Sequence, residues 1–309
     1  MDKYQISFPK ILDSTKIMNY NLFVSEIIEN NPEEICVNLS KIEFVTPSGL
    51  CPLISFIKIL KVKFPYKKYC ITPPVDNSVR NYLSRIGLFE HLNIKKFKVN
   101  KKPCKESLME LTQISYGDSS FERDSNIMNL IKKNLKCTDT TVNRIGYAVG
   151  EMVQNIIDHS ESPVGGFMCA QVYRNKKTLE VCFSDYGVGI TTKLKNKFNY
   201  DKSDAECILE ATELSVSTGS LDKNSGQGLF LTKKIIQDNK GSMKIVSNNG
   251  IIKINKNGPV IENCKFSFPG TTISLKFNLE KPIRDDIFDI KELDSQYYDN
   301  DIWDNILES

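Results

Sequence analysis

The chain has 309 residues, enough for two domains of ordinary size, and its 40% hydrophobic and 26% charged residues are typical of a soluble globular protein. The net charge of +3 conceals an acidic end, because residues 285–309 hold nine acids and one lysine; the mild basic excess elsewhere is poor evidence for nucleic-acid binding. Nine scattered cysteines and two histidines argue against structural zinc and a disulfide framework, and the lack of an apolar N-terminal signal predicts a cytoplasmic protein.

Residues 1–95 are predicted to form a small α/β domain, because short strands alternate with helices. Strands are predicted at 4–8, 35–39 and 69–72, and helices at 17–29, 51–63 and 77–86. The apolar run at 50–64 is interrupted by Pro52 and three lysines, which makes it too short and too charged to span a bilayer. A core helix is the favoured interpretation of that run.

Residues 37–50, Val-Asn-Leu-Ser-Lys-Ile-Glu-Phe-Val-Thr-Pro-Ser-Gly-Leu, resemble the STAS domain, the fold of anti-sigma-factor antagonists. In that family a strand runs into an Asp-Ser-x-Gly-Leu turn, whose hydroxyl is phosphorylated by a partner ATPase. Here Thr46 and Pro47 replace the family's Asp and Ser, so the resemblance leaves Ser48 as the phosphoacceptor. A serine just before a glycine at a helix start is also typical of a helix cap.

Residues 96–120 are predicted to be a basic linker followed by a lead-in strand at 108–116. Six lysines lie within 93–105, which fits either a solvated linker or a segment that touches nucleic acid or anionic lipid. No arginine and no regular aromatic interleaving accompany them, which favours the linker. A helix is predicted at 121–136.

Residues 140–159 are predicted to form a helix that carries chemistry, with Thr140 or Thr141 at its start. Its apolar residues recur at intervals of three and four, which indicates one buried face. Glu151, Asn155 and His159 are spaced four residues apart and therefore look outward together beside that face. Taken alone, such a pattern is more often a solvated helix surface than a site.

Three later segments make a site the better interpretation of that helix. A strand at 179–185 ends in an acid and runs into a glycine turn, a glycine pair at 226–228 opens a helix after a polar segment typical of a mobile loop, and a Gly-Thr pair precedes the strand at 271–279. The residues that stand out in these segments are Asp185, Gly187, Gly189, Gly226, Gly228, Leu229, Thr271 and Thr272.

Two further segments carry no chemistry that the sequence identifies. Residues 256–269 form an insert without a recognisable motif. The acidic tail at 281–309 alternates acids with apolar residues, so it could dock as an amphipathic helix on a partner or on the protein's own basic surface, or it could be disordered.

The order Glu-x-x-x-Asn, Asp-x-Gly-x-Gly, Gly-x-Gly-Leu and a late Gly-Thr resembles the ATPase superfamily of gyrase, the ninety-kilodalton chaperone, histidine kinases and the mismatch-repair ATPase, known as GHKL or Bergerat fold. The resemblance covers residues 121–280. It implies a Bergerat-type α/β sandwich ATPase domain behind the small STAS-like α/β domain. The phosphate-binding loop and dinucleotide motifs of other nucleotide folds are absent from the sequence.

The resemblance also implies ATP and Mg²⁺ as cofactors and assigns a role to each motif. Asp185 would accept from the adenine amino group, supported by Thr271 or Thr272, while Asn155 would coordinate Mg²⁺. Glu151 would orient or deprotonate the nucleophile. The four glycines and Leu229 would shape the pocket wall and cover the phosphates.

The function that these resemblances imply is that of an Mg–ATP-binding regulatory protein, a serine/threonine kinase of the anti-sigma-factor type. Its partner would be a STAS-domain or sigma-factor-like protein, with no membrane or nucleic acid involved and a homodimer left open. The alternative is a non-enzymatic switch, in which ATP alters a partner surface with little turnover. Histidine autokinase activity is disfavoured, because His91 is the only histidine before the ATPase region and no dimerisation helix surrounds it.

Overall fold

Two α/β units make up the fold in the computed structural model, which describes residues 2–15, 19–94, 107–116, 129–133, 138–199, 201–213 and 227–288. Both units combine helices with sheets, so the predicted fold class is confirmed. The basic segment 95–106 and the acidic residues 289–309 lie outside the described residues. No helix in the described ranges combines the length and the apolar content that a membrane span needs.

The N-terminal unit is built on a parallel three-stranded sheet in the order β1-β3-β5. Its strands are β1 (Lys3–Ser7), β3 (Glu34–Asn38) and β5 (Lys68–Thr72), with a short parallel pair of β2 (Ile11–Leu12) and β4 (Phe44–Val45) beside them. Its helices are α1 (Tyr20–Asn30), α2 (Pro47–Lys63), α3 (Asn77–Arg85) and α4 (Leu88–His91). One disulfide, Cys36–Cys70, joins β3 to β5, while the other cysteines that the structure describes are free thiols.

Helix α2 is buried on nearly every side, and it begins at Pro47 rather than at the predicted residue 51. A proline suits the first helical position, because its fixed φ matches the helix and its missing N–H would have had no partner there. A helix that is apolar all round needs cover on all faces. The N-terminal sheet supplies only part of that cover.

The second unit is an antiparallel five-stranded sheet in the order β6-β7-β8-β10-β9. Its strands are β6 (Leu108–Ile114), β7 (Gly166–Tyr173), β8 (Thr178–Asp185), β9 (Ser242–Asn255) and β10 (Gly258–Asn278). The predicted lead-in strand is therefore an edge strand of this sheet. The insert at 256–269 continues the long β9–β10 hairpin, whose tight turn contains Gly258 at a φ of 103°.

Helices cover one face of this sheet and α2 covers the other. The helices are α5 (Asp139–His159), α6 (Ile190–Phe198), α7 (Asp204–Ala211) and α8 (Gly228–Asp238). Along β8, Leu179, Val181 and Phe183 join the core beneath α5 and α8, whereas Cys182 joins the core around α2. This alternation follows from the pleat, which points successive side chains to opposite faces.

The first residues of the predicted acidic tail pack against the second unit. Ile283 is buried, and its N–H donates to Thr141 Oγ1 over 3.0 Å. Arg284 contacts Asp238 at the end of α8, with 2.8 Å between Nε and Oδ1. A short 3-10 turn at Asp285–Phe288 follows and buries Ile287. Residues 281–288 are thus part of the folded unit.

Candidate functional site

Helix α5 carries two of the candidate site residues, Glu151 and Asn155, and positions them. It begins at Asp139 with Thr138 as the N-cap, whose side chain accepts from the Thr141 N–H, so the predicted start at Thr140 or Thr141 was slightly late. Its apolar stripe is buried as predicted, from Val142 to Ile156. That burial fixes the helix, and with it the outward-facing Glu151 and Asn155.

Glu151 lies against the first residue of α8. A Cβ added to Gly228 would stand 2.0 Å from Glu151 Oε2, so only a glycine leaves room for this carboxylate. Burial raises the pKa of Glu151, as does the nearby Asp158, while a hydrogen bond from Tyr147 opposes the shift. A carboxyl with a raised pKa beside a helix start is suited to taking a proton from a nucleophile.

Asn155 follows one helical turn later. Its Nδ2 atom is buried and has no hydrogen-bond partner among the residues that the structure describes. A buried amide that lacks a partner costs about 1–3 kcal/mol, so its position is best explained by a ligand that completes its bonding. A free N–H donor needs an acceptor such as a phosphate oxygen, whereas the predicted bond to Mg²⁺ would use the amide oxygen of the same side chain.

Asp185 ends β8 on the same face of the sheet. It is 4% exposed, and its Oδ1 accepts from the Gly187 N–H over 2.9 Å. Burial raises the pKa of Asp185 to about 6, while backbone N–H groups of Gly187 and Thr271 act in the opposite direction. A buried carboxylate with remaining acceptor capacity suits an amino group of a ligand.

The turn after Asp185 is fixed to the C-terminal end of α5. The Val188 N–H donates to the carbonyl of Ser160 over 2.9 Å. A Cβ on Gly187 would stand 1.7 Å from that same carbonyl, which explains the glycine. From Glu151 to Ser160 the helix rises roughly 14 Å, at about 1.5 Å per residue. Asn155 therefore lies between two contacts on the same helix: that of the Glu151 side chain with Gly228, and that of the Ser160 carbonyl with the Asp185 turn.

Gly189 is held by the β9–β10 side of the sheet. It has a φ of 77°, and a Cβ there would stand 2.7 Å from Ser247 Oγ. That hydroxyl donates to the Gly270 carbonyl over 2.8 Å and accepts from the Ile190 N–H over 3.1 Å. Ser247 was missed by the sequence analysis, because it lies in an ordinary strand with no motif around it.

Thr271 and Thr272 lie on opposite faces of the sheet. The Thr271 hydroxyl accepts from the Ile190 N–H over 3.3 Å, next to the Asp185 turn. The Thr272 hydroxyl instead lies 2.8 Å from that of Ser184, on the face that α2 covers. Of the two predicted alternatives, Thr271 is the one that lies beside the Asp185 turn, whereas Thr272 lies on the face that α2 covers.

The remaining predicted residues are placed as follows. Leu229 is partly buried and packs against the core beneath the sheet, one residue after the glycine that faces Glu151. Gly226 lies outside the described residues. His159 ends α5, where burial lowers its pKa, with Lys193 acting in the same direction.

Ser48, the predicted phosphoacceptor, lies behind the sheet. It is 6% exposed, its N–H donates to Glu180 Oε1 over 3.2 Å, and its hydroxyl lies 2.9 Å from that of Thr46. Glu180 and Ser184 point to the α2 face, whereas Asp185 points to the opposite face. In this arrangement Ser48 is out of reach of Glu151.

The comparison with protein families agrees with the geometry. Residues 126–248 match the histidine kinase-like ATPase domain. The matched ATPase-like segment contains Glu151, Asn155, Asp185 and the Gly228 turn, and it supports ATP binding. The N-terminal unit and Thr271 lie outside it. A search of curated proteins finds no match to the chain.

The predicted Mg²⁺ ligand in the ATPase-like segment is a single amide, that of Asn155, and not a cluster of carboxylates or imidazoles. No cluster of three or more His, Cys, Asp or Glu side chains suited to a metal occurs in the described part of the chain. Magnesium commonly binds through one or two protein oxygens together with phosphates and waters. The amide oxygen of Asn155, one helical turn from Glu151, could serve as such a protein oxygen, while its unpaired Nδ2 would donate to an acceptor on the ligand.

Proposed function

We propose that this protein binds Mg–ATP along α5 and acts as a regulatory phosphotransferase of the serine/threonine kinase type. The observation that supports the proposal is that the Asp185 turn and the start of α8 both contact helix α5. The Asp185 turn contacts the helix end at Ser160, and the start of α8 contacts Glu151. Adenine would bind at the first contact and the γ-phosphate at the second, with Asn155 between them.

The residues suit phosphoryl transfer, which depends on positioning and charge neutralisation. The free N–H groups at the start of α8 would hold phosphate oxygens, because Gln227 provides no side-chain cap there. Bound Mg²⁺ would neutralise charge on the phosphates, and the Asn155 amide oxygen would hold it in place. The Glu151 carboxylate would take the proton from the attacking hydroxyl while the new oxygen–phosphorus bond forms and ADP leaves.

We propose that the phosphate acceptor is a hydroxyl on a separate protein, with STAS-domain proteins as the first candidates. Two observations support transfer in trans. The chain's own STAS-like turn is buried behind the sheet, and Glu151 lies on the other face. A partner can therefore reach Glu151 without displacing the N-terminal unit.

The second candidate function is an ATP-dependent switch, and one packing contact favours it. Tyr186 directly follows Asp185, and its ring lies 6.2 Å from that of Phe56 in α2. Nucleotide binding at Asp185 would therefore act on a residue in contact with the N-terminal unit. A switch would need ATP binding but little turnover.

The test is incubation of the purified protein with γ-labelled ATP and Mg²⁺, alone and with candidate STAS proteins. The kinase proposal expects label on the partner, its loss in Glu151→Gln, and loss of nucleotide binding in Asp185→Asn and Asn155→Ala. Glu161→Gln is the matched control, because Glu161 is an exposed acid just beyond the same helix. Tight ATP binding without any transfer would decide for the switch, and no binding would overturn both.

A further inference from the structure

A cavity lies between the N-terminal unit and the face of the sheet opposite the nucleotide site. Its enclosed part has a volume of about 40 Å³, within about 460 Å³ of space that is partly open to solvent. Its walls are mostly apolar and carry a few polar groups, a composition typical of small-molecule sites. The apolar wall comes from both units and consists of Leu12, Tyr20, Pro52, Val246 and Phe268.

Two polar side chains stand next to each other in this cavity. Lys244 on β9 and Ser274 on β10 are direct partners in the antiparallel register, and both line the cavity. Directly opposed side chains on neighbouring strands lie on the same face, with Cβ atoms about 5 Å apart. The Lys244 ammonium and the Ser274 hydroxyl are thus close enough for both to donate hydrogen bonds to one carboxylate.

Ser274 has capacity to bind a ligand. It is 4% exposed, and its Oγ has no hydrogen-bond partner within the described ranges. Buried hydroxyls are nearly always bonded, so an exception that lines a cavity indicates a missing partner.

Lys244 is largely buried for a charged side chain, and burial disfavours its ammonium form. Its ammonium contacts the main-chain carbonyl of Ser14. Burial and the neighbouring Lys253 lower its pKa, although Glu262 and Asp13 act in the opposite direction. An anionic group brought next to the ammonium would therefore be stabilised.

Among the described residues that line the cavity, Asp13 carries the one carboxylate, and this carboxylate already has hydrogen-bond partners. Its Oδ1 accepts from the Thr15 N–H over 2.8 Å and from the Thr15 hydroxyl over 2.6 Å. Lys276 and Lys244 both stabilise its charge. The Asp13 oxygen that bonds to Thr15 makes no hydrogen bond to Ser274 or Lys244, so the Ser274 hydroxyl and the two N–H donors that Lys244 does not use for Ser14 can bond to a ligand.

We propose that this cavity binds a small carboxylate with an apolar chain, whose head group lies between Lys244 and Ser274 and whose chain lies against the apolar wall. Because both units contribute to the wall, the ligand bridges them. The site is separate from the nucleotide site, since Ser274 and Asp185 point to opposite faces of the sheet.

Calorimetric titration with octanoate, and with octanol as its uncharged match, tests this proposal on the whole chain saturated with Mg–ADP. Octanoate is expected to bind more tightly than octanol. Lys244→Met is expected to weaken octanoate binding about tenfold while leaving octanol unchanged, because it removes a charge-assisted bond and keeps the apolar stem. Ser274→Ala is expected to weaken octanoate binding severalfold without lowering thermal stability, since the hydroxyl has no partner to lose.

Lys177→Met is the matched control, because Lys177 pairs with Glu280 at the surface and is not among the charges that act on Lys244. Its octanoate affinity should equal that of the wild type. The proposal is overturned if octanoate does not bind at millimolar concentration. It is also overturned if Lys244→Met, folded by circular dichroism, binds octanoate as tightly as Lys177→Met does.

Discussion

If Asp185 binds the nucleotide as proposed, nucleotide affinity is expected to depend on pH. Burial raises its pKa to about 6, and an adenine amino group would favour the ionised carboxylate. Below that value the free protein holds a proton that the ligand must displace. Between pH 7 and pH 5 the affinity for ADP is therefore expected to fall about tenfold, which fluorescence or calorimetric titration can measure.

The control for this pH dependence is Asp185→Asn, which binds more weakly but has no carboxyl to titrate at this position. Protonation of the ADP phosphates affects both proteins alike. The role of Asp185 is refuted if the two proteins lose the same factor of affinity as the pH falls.

Gly228 is expected to separate turnover from nucleotide affinity. In Gly228→Ala the added methyl would meet the end of the Glu151 side chain, which can move aside, so the fold should survive with a displaced carboxylate. Displacing a catalytic group by about 1 Å costs roughly a hundredfold in rate. Phosphate transfer from labelled ATP should fall by that order while ADP affinity stays near the wild-type value.

Gly187→Ala is the contrasting variant, because its methyl would meet the main-chain carbonyl of Ser160, which cannot move aside. It should lose ADP binding as well as transfer. Equal transfer rates in Gly228→Ala and the wild type would contradict the assignment of Glu151.

Sequence reasoning at the residue scale predicted residues that carry a motif and missed those that do not. Their patterns singled out Asp185, Gly187 and Gly228; Asp185 and Gly187 share one turn and Gly228 lies against Glu151, while their roles toward a nucleotide stay predictions. The choice between Thr271 and Thr272 needed the register of β10 against β8, which decides the face. Ser247 became visible only through its contacts with Gly270 and Ile190, because long-range contacts leave no local pattern.

At the element scale, α2 shows why helix ends are hard to predict. Its N-cap residue Thr46 makes no side-chain capping bond. The capping acceptor is Glu180 on β8, which is 132 residues away along the chain. The apolar run of α2 was visible in the sequence, whereas its start at Pro47 depends on a carboxylate that only the tertiary structure brings near.

Glu180 is therefore expected to stabilise the contact between α2 and the sheet. It is almost fully buried, accepts from the Ser48 N–H and lies 3.6 Å from the ammonium of Lys276. Glu180→Ala leaves the helix start without its acceptor and should lower the free energy of unfolding by about 2 kcal/mol. Urea denaturation followed by circular dichroism measures the change.

Glu262→Ala is the matched control for that experiment, because it removes an exposed acid that pairs with Lys253 over 3.1 Å. Exposed pairs contribute less than about 1 kcal/mol, so this variant should unfold near the wild-type midpoint. Equal losses in the two variants would show that Glu180 has no special role at the helix start.

At the scale of the whole molecule, the two units share one apolar core. A continuous aromatic cluster joins them, with ring centroids 4.5 to 6.2 Å apart: Phe56 of α2, Tyr20 of α1, Tyr186 in the turn after β8, and Phe268 of β10. The sequence indicated both units and a basic segment between them. It could not show that α2 covers the sheet, because a buried helix has no one-sided pattern that identifies its partners.

Three free cysteines, Cys51, Cys169 and Cys182, lie in this shared core and make its exposure measurable. Cys51 of α2 lies 3.5 Å from Cys169 of β7, measured between their sulfurs, and donates to the carbonyl of Cys182 over 3.3 Å. Cys207 of α7 is equally buried but lies in a separate small cluster with Leu194 and Ala211. Separation of the two units would therefore expose Cys51 while leaving Cys207 protected.

Ser48→Asp is expected to weaken the docking of the N-terminal unit, because it places a second carboxylate beside the buried Glu180. Alkylation of Cys51 above neutral pH, followed by mass spectrometry, should become about tenfold faster than in Ser48→Asn, which has the same size and no charge. The rate at Cys207 should stay constant, since a rise at both cysteines would indicate global unfolding. If Cys51 reacts equally slowly in both variants, the contact between Ser48 and Glu180 does not control how the two units associate.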